Sequence, residues 1–294
     1  MTRLPALLNF VFVGALSLLL GWRPLMATLT LAWRDNQYTH VLLILPISAT
    51  LIYVNRRALG LESGLHPRLG SVLLGLSMLT AISVKLWFAF LTSDAQLAIN
   101  MLALVIWWIG AFFLCFGGHV SRSFLFALCF LFGLVPIPQG MLNEIVRLMQ
   151  QGSACVARLL FATAGVPVVQ DGPMLTIPNL TVEVAKQCSS IRSSSMLLVT
   201  AMVLAQIFLG SPWRKALVIG LAVPLSIAKN GLRIFTIAML GTRVDSSFLT
   251  GKMHHNGGII FFLVSLVALC LLLLVLRRTE HRLLPSPTRT SLEA

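Results

Sequence analysis

Runs of about 20 apolar residues recur along the chain, and that is the length a helix needs to cross the hydrocarbon core of a bilayer. We place eight, at about 4–20, 40–54, 69–91, 95–116, 120–137, 192–209, 214–239 and 258–276. Lipid cannot satisfy open backbone hydrogen bonds, so the runs must be helices. A transmembrane barrel would show short alternating strands instead. Composition agrees: 57% of the 294 residues are hydrophobic and only 11% charged, where a soluble domain is about a quarter charged. The expected fold is an all-α integral membrane protein, a bundle of about eight transmembrane helices. The first run resembles a signal peptide behind Arg3, but no small-x-small cleavage site follows, so it is read as a retained span.

A formal charge of +13 raises the question of nucleic acid, but the charges are scattered between spans with no basic stripe interleaved with aromatics. No nucleic-acid partner is expected. The excess is accounted for by a positive-inside signal and affinity for anionic lipid head groups. With the N-terminus inside, the inner connections hold eleven Lys and Arg in about 47 residues and the outer ones seven in about 89. That is a roughly threefold difference in density in the sense the rule requires, so both termini are expected to be cytoplasmic. Residues 1–276 are read as a single membrane domain. Residues 277–294, with Pro285, Pro287 and several Ser and Thr, read as a disordered cytoplasmic tail.

The one long connection, 138–187, then lies outside. From Met141 to Ala164 its apolar residues fall at roughly helical spacing among Glu144, Arg147, Gln150, Gln151 and Arg158, which predicts an amphipathic helix at the interface or dipping into the bundle. Turn signals at Asp171-Gly172-Pro173 and Pro178-Asn179, flanked by apolar alternation, predict a small β-hairpin. It is either an ordinary capping loop or a place where an extended peptide adds as a strand.

Five cysteines are present, without CxxC or Cys/His metal spacing, so no metal and no cofactor is expected. Cys155 and Cys188 share the outer side, but a disulfide between them would silence a nucleophile. Cys188 stands where the outer connection turns into the sixth span. A helix N-terminus, with unpaired N–H groups and a positive dipole end, favours thiolate over thiol. Arg192, four residues on, shares its helical face and adds positive charge. Ser189 and the serines that follow can satisfy backbone groups or line a polar cleft. An isolated membrane cysteine is usually an inert small hydrophobe; here its position and neighbours favour a reactive role.

Arg233 lies one or two turns below the outer surface in the seventh span. A charge at that depth is costly and marks function by default, and the planar guanidinium suits a developing oxyanion or a carboxylate. The plainer alternatives are snorkelling or a pair with Asp245. Lys229 has a stem long enough to snorkel, and Asn230 is placed to orient Arg233 or a substrate. His254 and His255 immediately precede the eighth span, where one imidazole can shuttle protons. Gly257 and Gly258 permit close backbone approach.

Taken together, Cys-Ser-x-Ile-Arg-Ser at 188–193, Asn-x-x-Arg at 230–233, and a His shortly before Gly257-Gly258 and Phe261-Phe262 resemble the motifs of the exosortase/archaeosortase family of membrane cysteine enzymes. Tyr38-Thr39-His40, followed by Leu45-Pro46-Ile47-Ser48 and Arg56-Arg57, is similar to that family's second span and adds His40 to the supporting set. The likeness covers about residues 38–276. Ser190 stands where many members have Gly, Val41 where Gly is common and Ile259 where Trp often follows, departures that bear on the subfamily. Register against the glycines favours His254 over His255.

The resemblance implies a cysteine peptidase or transpeptidase of a bacterial cytoplasmic membrane, with its active site facing outward. Its partners would be exported proteins whose C-terminal tail carries a short motif (Pro-Glu-Pro-like in many bacteria), a membrane span and a basic cluster. In many bacteria such a system accompanies exopolysaccharide production. Cys188 would attack as nucleophile, Arg233 would hold the oxyanion and His254 would move protons. The rival reading is a transporter or a lipid or polysaccharide flippase that holds an anionic substrate with Lys229 and Arg233. Neither reading specifies an oligomeric state.

Overall fold

The computed structural model describes residues 3–57, 67–86, 90–178, 180–184, 191–245, 247 and 252–283. Its elements are α1 (Arg3–Arg34), α2 (Val41–Val54), α3 (Pro67–Leu86), α4 (Ser93–Ser123), α5 (Leu125–Phe130) and α6 (Gln139–Thr163), then strands β1 (Val169–Asp171), β2 (Met174–Ile177) and β3 (Leu180–Glu183), and finally α7 (Ile191–Phe208), α8 (Pro212–Arg243) and α9 (Lys252–Leu283). Among the described residues, six helices are long and apolar enough to cross a membrane, or up to eight if each of two bent pairs counts as one span. The chain is therefore an all-α multi-pass membrane protein with one small sheet.

Both bent pairs lie where a straight span was expected. The run at 4–20 is the first arm of a longer helix that bends by 72° between Leu19 and Gly21 and continues to Arg34. Pro24 has no N–H to offer the Leu20 carbonyl, which frees the backbone to bend there. The run at 120–137 is divided: α4 carries on to Ser123 through a break at Gly117, whose φ is 78°. A short helix and a 3-10 turn then fill Leu125–Leu134. Pro136 and Pro138 close off helical backbone before them, and α6 leaves at 99°.

The chain forms two compact units, Met1–Leu142 and Asn143–Ala294. In the first, Tyr38 donates its hydroxyl to the Ile137 carbonyl at 2.7 Å, and the Asp94 carboxylate accepts from the Gln139 N–H at 2.7 Å. These bonds fasten the end of the 3-10 segment to the approaches of α2 and α4.

In the second unit the expected amphipathic helix is α6. The expected hairpin is β2 and β3, and β1 extends it into a three-stranded antiparallel sheet of order β1-β2-β3. Gly172, with φ 55°, turns β1 into β2. Alternation along β2 sends Leu175 and Ile177 inward, onto Ala154, Ala157 and Phe161 of α6 and Ile234 and Ala238 of α8. A second core joins Leu197, Ala201 and Ala205 of α7, Val218 and Ala222 of α8, and Leu269 of α9. The outward face of α9 exposes Ile259, Leu263, Val267 and Leu271, as a lipid-facing helix must.

The tail expected from Arg277 begins instead as helix: α9 runs on to Leu283, and residues 284–294 lie outside the described residues. The reason is a long-range cap. Glu280 accepts from the Gly210 and Ser211 N–H groups at 3.2 and 2.7 Å, and Arg214 donates to the Leu276 carbonyl at 3.0 Å. A carboxylate at the start of α8 satisfies groups that helix cannot and complements its dipole.

In the second unit α8 lies close against α6. A Cβ on Gly231 would stand 2.6 Å from Val156 Cβ and 2.9 Å from the Ser153 carbonyl oxygen, and one on Gly152 would stand 3.1 Å from Ile227. Small residues at a crossing let two backbones approach closely where lipid gives no hydrophobic drive to associate. Gly231→Ala should therefore destabilise the folded protein by about 1–3 kcal/mol, read as a lower thermal midpoint in detergent. An unchanged midpoint would show that the crossing can relax.

Candidate active site in the second unit

A polar stripe runs down one side of α8. Ser226, Lys229, Asn230 and Arg233 stand at i, i+3, i+4 and i+7, the spacing that puts side chains on one helical face. Ile227 and Gly231 occupy another side and meet α6. The close crossing thus fixes the rotation of α8 and aims the stripe away from α6.

Each stripe residue meets a defined environment. Lys229 is 6% exposed and donates to the Ser193 hydroxyl on the first turn of α7. It does not snorkel, as its stem would have allowed; it is turned into the packed interior between α7 and α8. Arg233, half-buried, reaches α9: a Cβ on Gly258 would stand 3.9 Å from Arg233 Nη1. Asn230 is 2% exposed and Ser226 1%. Neither the oxygen nor the nitrogen of the Asn230 carboxamide has a hydrogen-bond partner among the described residues, and the same holds for Ser226 Oγ and for Ser194 Oγ on α7. A carboxamide can make about four hydrogen bonds, and each buried group left open costs about 1–3 kcal/mol.

The structure thus brings Lys229, Arg233, the first turn of α7 and the start of α9 together. His254 and His255 lie on the first turn of α9, His254 one turn before Gly258 and on the same helical face. Cys188 and Ser189 lie outside the described residues. The stretch that carries them is held on both flanks. On one side, Gln150 of α6 donates to the Val184 carbonyl at 2.6 Å and the Val184 N–H donates to the Pro173 carbonyl at 3.0 Å. On the other, Ile191 is buried at the start of α7.

Arg192 is exposed on that first turn of α7. Asp245, weighed as a partner of Arg233, accepts from the Ser247 N–H at 2.9 Å, and that bond holds its carboxyl below the usual carboxylate range. His40 belongs to the first unit, before α2, where its Nδ1 is buried and without a partner among the described residues. Among the described residues no cluster of His, Cys, Asp and Glu could hold a metal.

Ser226 was not singled out from the sequence. A lone serine in an apolar helix is unremarkable, and the signal lay in its register with Lys229, Asn230 and Arg233.

A model of the transmembrane exosortase family matches residues 32–271, a stretch that includes Cys188, Asn230, Arg233 and His254. No curated protein and no solved structure matches the chain.

The Gln150 bond supplies a test of how the end of the sheet is anchored. Gln150→Leu strands the buried Val184 carbonyl, at a cost of about 1–3 kcal/mol. Amide hydrogen exchange across β3 and Val184 should accelerate more than it does on α8. Uniform exchange behaviour would show that Gln150 does not restrain that stretch.

Proposed function

The chain belongs to the transmembrane exosortase family, membrane transpeptidases of protein sorting, and from that premise we propose that it cleaves the C-terminal sorting tails of exported proteins through a thioester on Cys188. The observation that carries the reading is Arg233 Nη1 at 3.9 Å from where a Cβ on Gly258 would stand, one turn along α9 from His254, with Lys229, one turn away on α8, bonded to the first turn of α7. The element that bears the nucleophile's flank and the one that bears an imidazole meet the cationic side of α8.

In the proposed reaction the Cys188 thiolate attacks the scissile carbonyl carbon and a C–S bond forms. Arg233 donates to the oxyanion of the tetrahedral intermediate. His254 gives a proton to the amine as the C–N bond breaks, and the thioester remains. His254 then takes a proton from water or from an acceptor nucleophile, which attacks the thioester and releases Cys188. Asn230, Arg192, Ser189, His255 and His40 are proposed in supporting or substrate-binding roles. The substrate's tail carries a short motif, an apolar span and a basic tip. The site faces the extracytoplasmic side of a bacterial cytoplasmic membrane with both termini inside, and residues 1–276 act as one functional domain.

The buried Lys229 also supports the second reading, a transporter or flippase holding an anionic substrate with Lys229 and Arg233. A covalent adduct discriminates, because transport needs none.

Co-expression with a tail-bearing reporter tests the enzyme. Cys188→Ala should abolish processing, and Arg233→Ala should slow it about 100- to 1000-fold, the usual loss for an oxyanion donor. Gly258→Ala fits within van der Waals distance of Arg233 and should cost little. Gly258→Leu, which displaces the guanidinium, should slow processing at least about tenfold, since small misplacements are costly. Normal processing by Cys188→Ala would refute the thioester mechanism.

A further inference from the structure

Among the described residues Lys229 has no negative partner. Its hydrogen bond goes to a neutral hydroxyl, Ser193, and among the described residues no carboxylate lies within ion-pair distance of it. The reason is compositional. Of nine acidic residues in the chain, none lies on α7 or α8, and the one on α9, Glu280, is spent on capping α8 at the helix's far end. Lys229 nevertheless sits near the middle of a 32-residue membrane helix, 6% exposed, one turn from a second cation. Two charges so placed repel each other, and a buried ion without a counter-ion is among the costliest arrangements a protein can keep. Among the described residues nothing supplies the negative charge that would offset it.

Asn230 defines what brings it. Its carboxamide is 2% exposed, and both its donor and its acceptor lack partners. A lipid phosphate presents acceptors only and would leave the Asn230 oxygen open. A peptide main chain presents both a donor and an acceptor and satisfies both ends of a carboxamide.

We propose that Lys229 and Asn230 form the specificity subsite for an acidic residue of the sorting tail, Lys229 binding its carboxylate and Asn230 its main chain. The subsite rests on the proposed peptidase reading and deepens it. Lys229 and Arg233 are four residues apart on α8, about 6 Å along the axis. An extended peptide advances about 3.3 Å per residue. With the scissile carbonyl at Arg233, the acidic residue falls one or two positions from the bond that is cut. Ser226, whose buried hydroxyl is also open, continues the polar stripe by one more turn of α8.

The test separates binding from chemistry. Full-length protein carrying Cys188→Ala is reconstituted in phosphatidylcholine nanodiscs with fluorescent tail peptides: a polar motif with one Glu or one Gln, an apolar span and an Arg tip. The Glu peptide should bind about 10- to 100-fold tighter than the Gln peptide, the range of one buried charge-assisted hydrogen bond. Lys229→Met in the same background should bring that ratio close to one, while Lys229→Arg keeps a preference for Glu. Asn230→Ala should weaken both peptides alike. Moving the Glu six residues towards the N-terminus should remove its advantage.

Equal binding of Glu and Gln peptides by the Lys229-bearing protein overturns the proposal, whatever the variants do. So does a Glu preference that survives Lys229→Met, or binding of neither peptide. Dependence on added phosphatidylglycerol in place of the Glu would assign the site to a lipid phosphate and overturn it as well. Cleavage by the Cys188-containing enzyme is scored separately, so a working peptidase without this preference fails the subsite alone.

Discussion

The close crossing of α8 over α6 at Gly231 is the constraint on which the rest of the second unit depends. With Ser153 and Val156 pressed against the glycine, α8 has one rotation available. That rotation points Lys229 at α7 and Arg233 at α9. A membrane helix of the same hydropathy could otherwise turn its polar groups in any direction at similar cost, because lipid tails are as apolar as the side chains packed against them. Here shape, through a missing Cβ, decides where the charge goes.

The same economy of polar partners governs the surroundings. The small sheet packs its inward residues on α6 and α8, and its last strand ends in Val184, bonded to Gln150 and to the Pro173 carbonyl. The chain therefore approaches the Cys188 stretch from a fixed point and leaves it into a buried Ile191. Among the described residues, three of the second unit's buried side chains with open polar atoms, Ser226, Asn230 and Ser194, lie on α7 and α8. In a packed membrane protein such open atoms are rare enough that their clustering carries meaning.

Much of this could be read from the residues alone. The long apolar runs set the helices, the turn residues around Gly172 set the hairpin, and the charge at Arg233 inside a span pointed to the candidate site. What could not be read depends on contacts between distant positions. Pro24 and Gly117 signal bends, but not by how much; the 72° and 99° turns belong to the packed chain. β1 is three residues long and offers no alternation to notice. Glu280 looks like part of a loose basic tail until its carboxylate is found at Gly210 and Ser211, some 70 residues earlier. Lys229 has the chemistry of a snorkelling residue, and only its hydroxyl partner on α7 shows that it faces inward.

That Glu280 bond makes α9 a lever with a fulcrum. Gly258, where a Cβ would stand 3.9 Å from Arg233 Nη1, lies 22 residues from Glu280, or about 33 Å along a straight helix. A tilt of about 5° at the anchored end carries the other end about 3 Å, more than the alignment of reacting groups tolerates. Whatever grips or loosens the turn between α7 and α8 is therefore geared, through a rigid rod, to the position of the helix start beside the guanidinium. The two faces of the membrane are mechanically coupled within a single element.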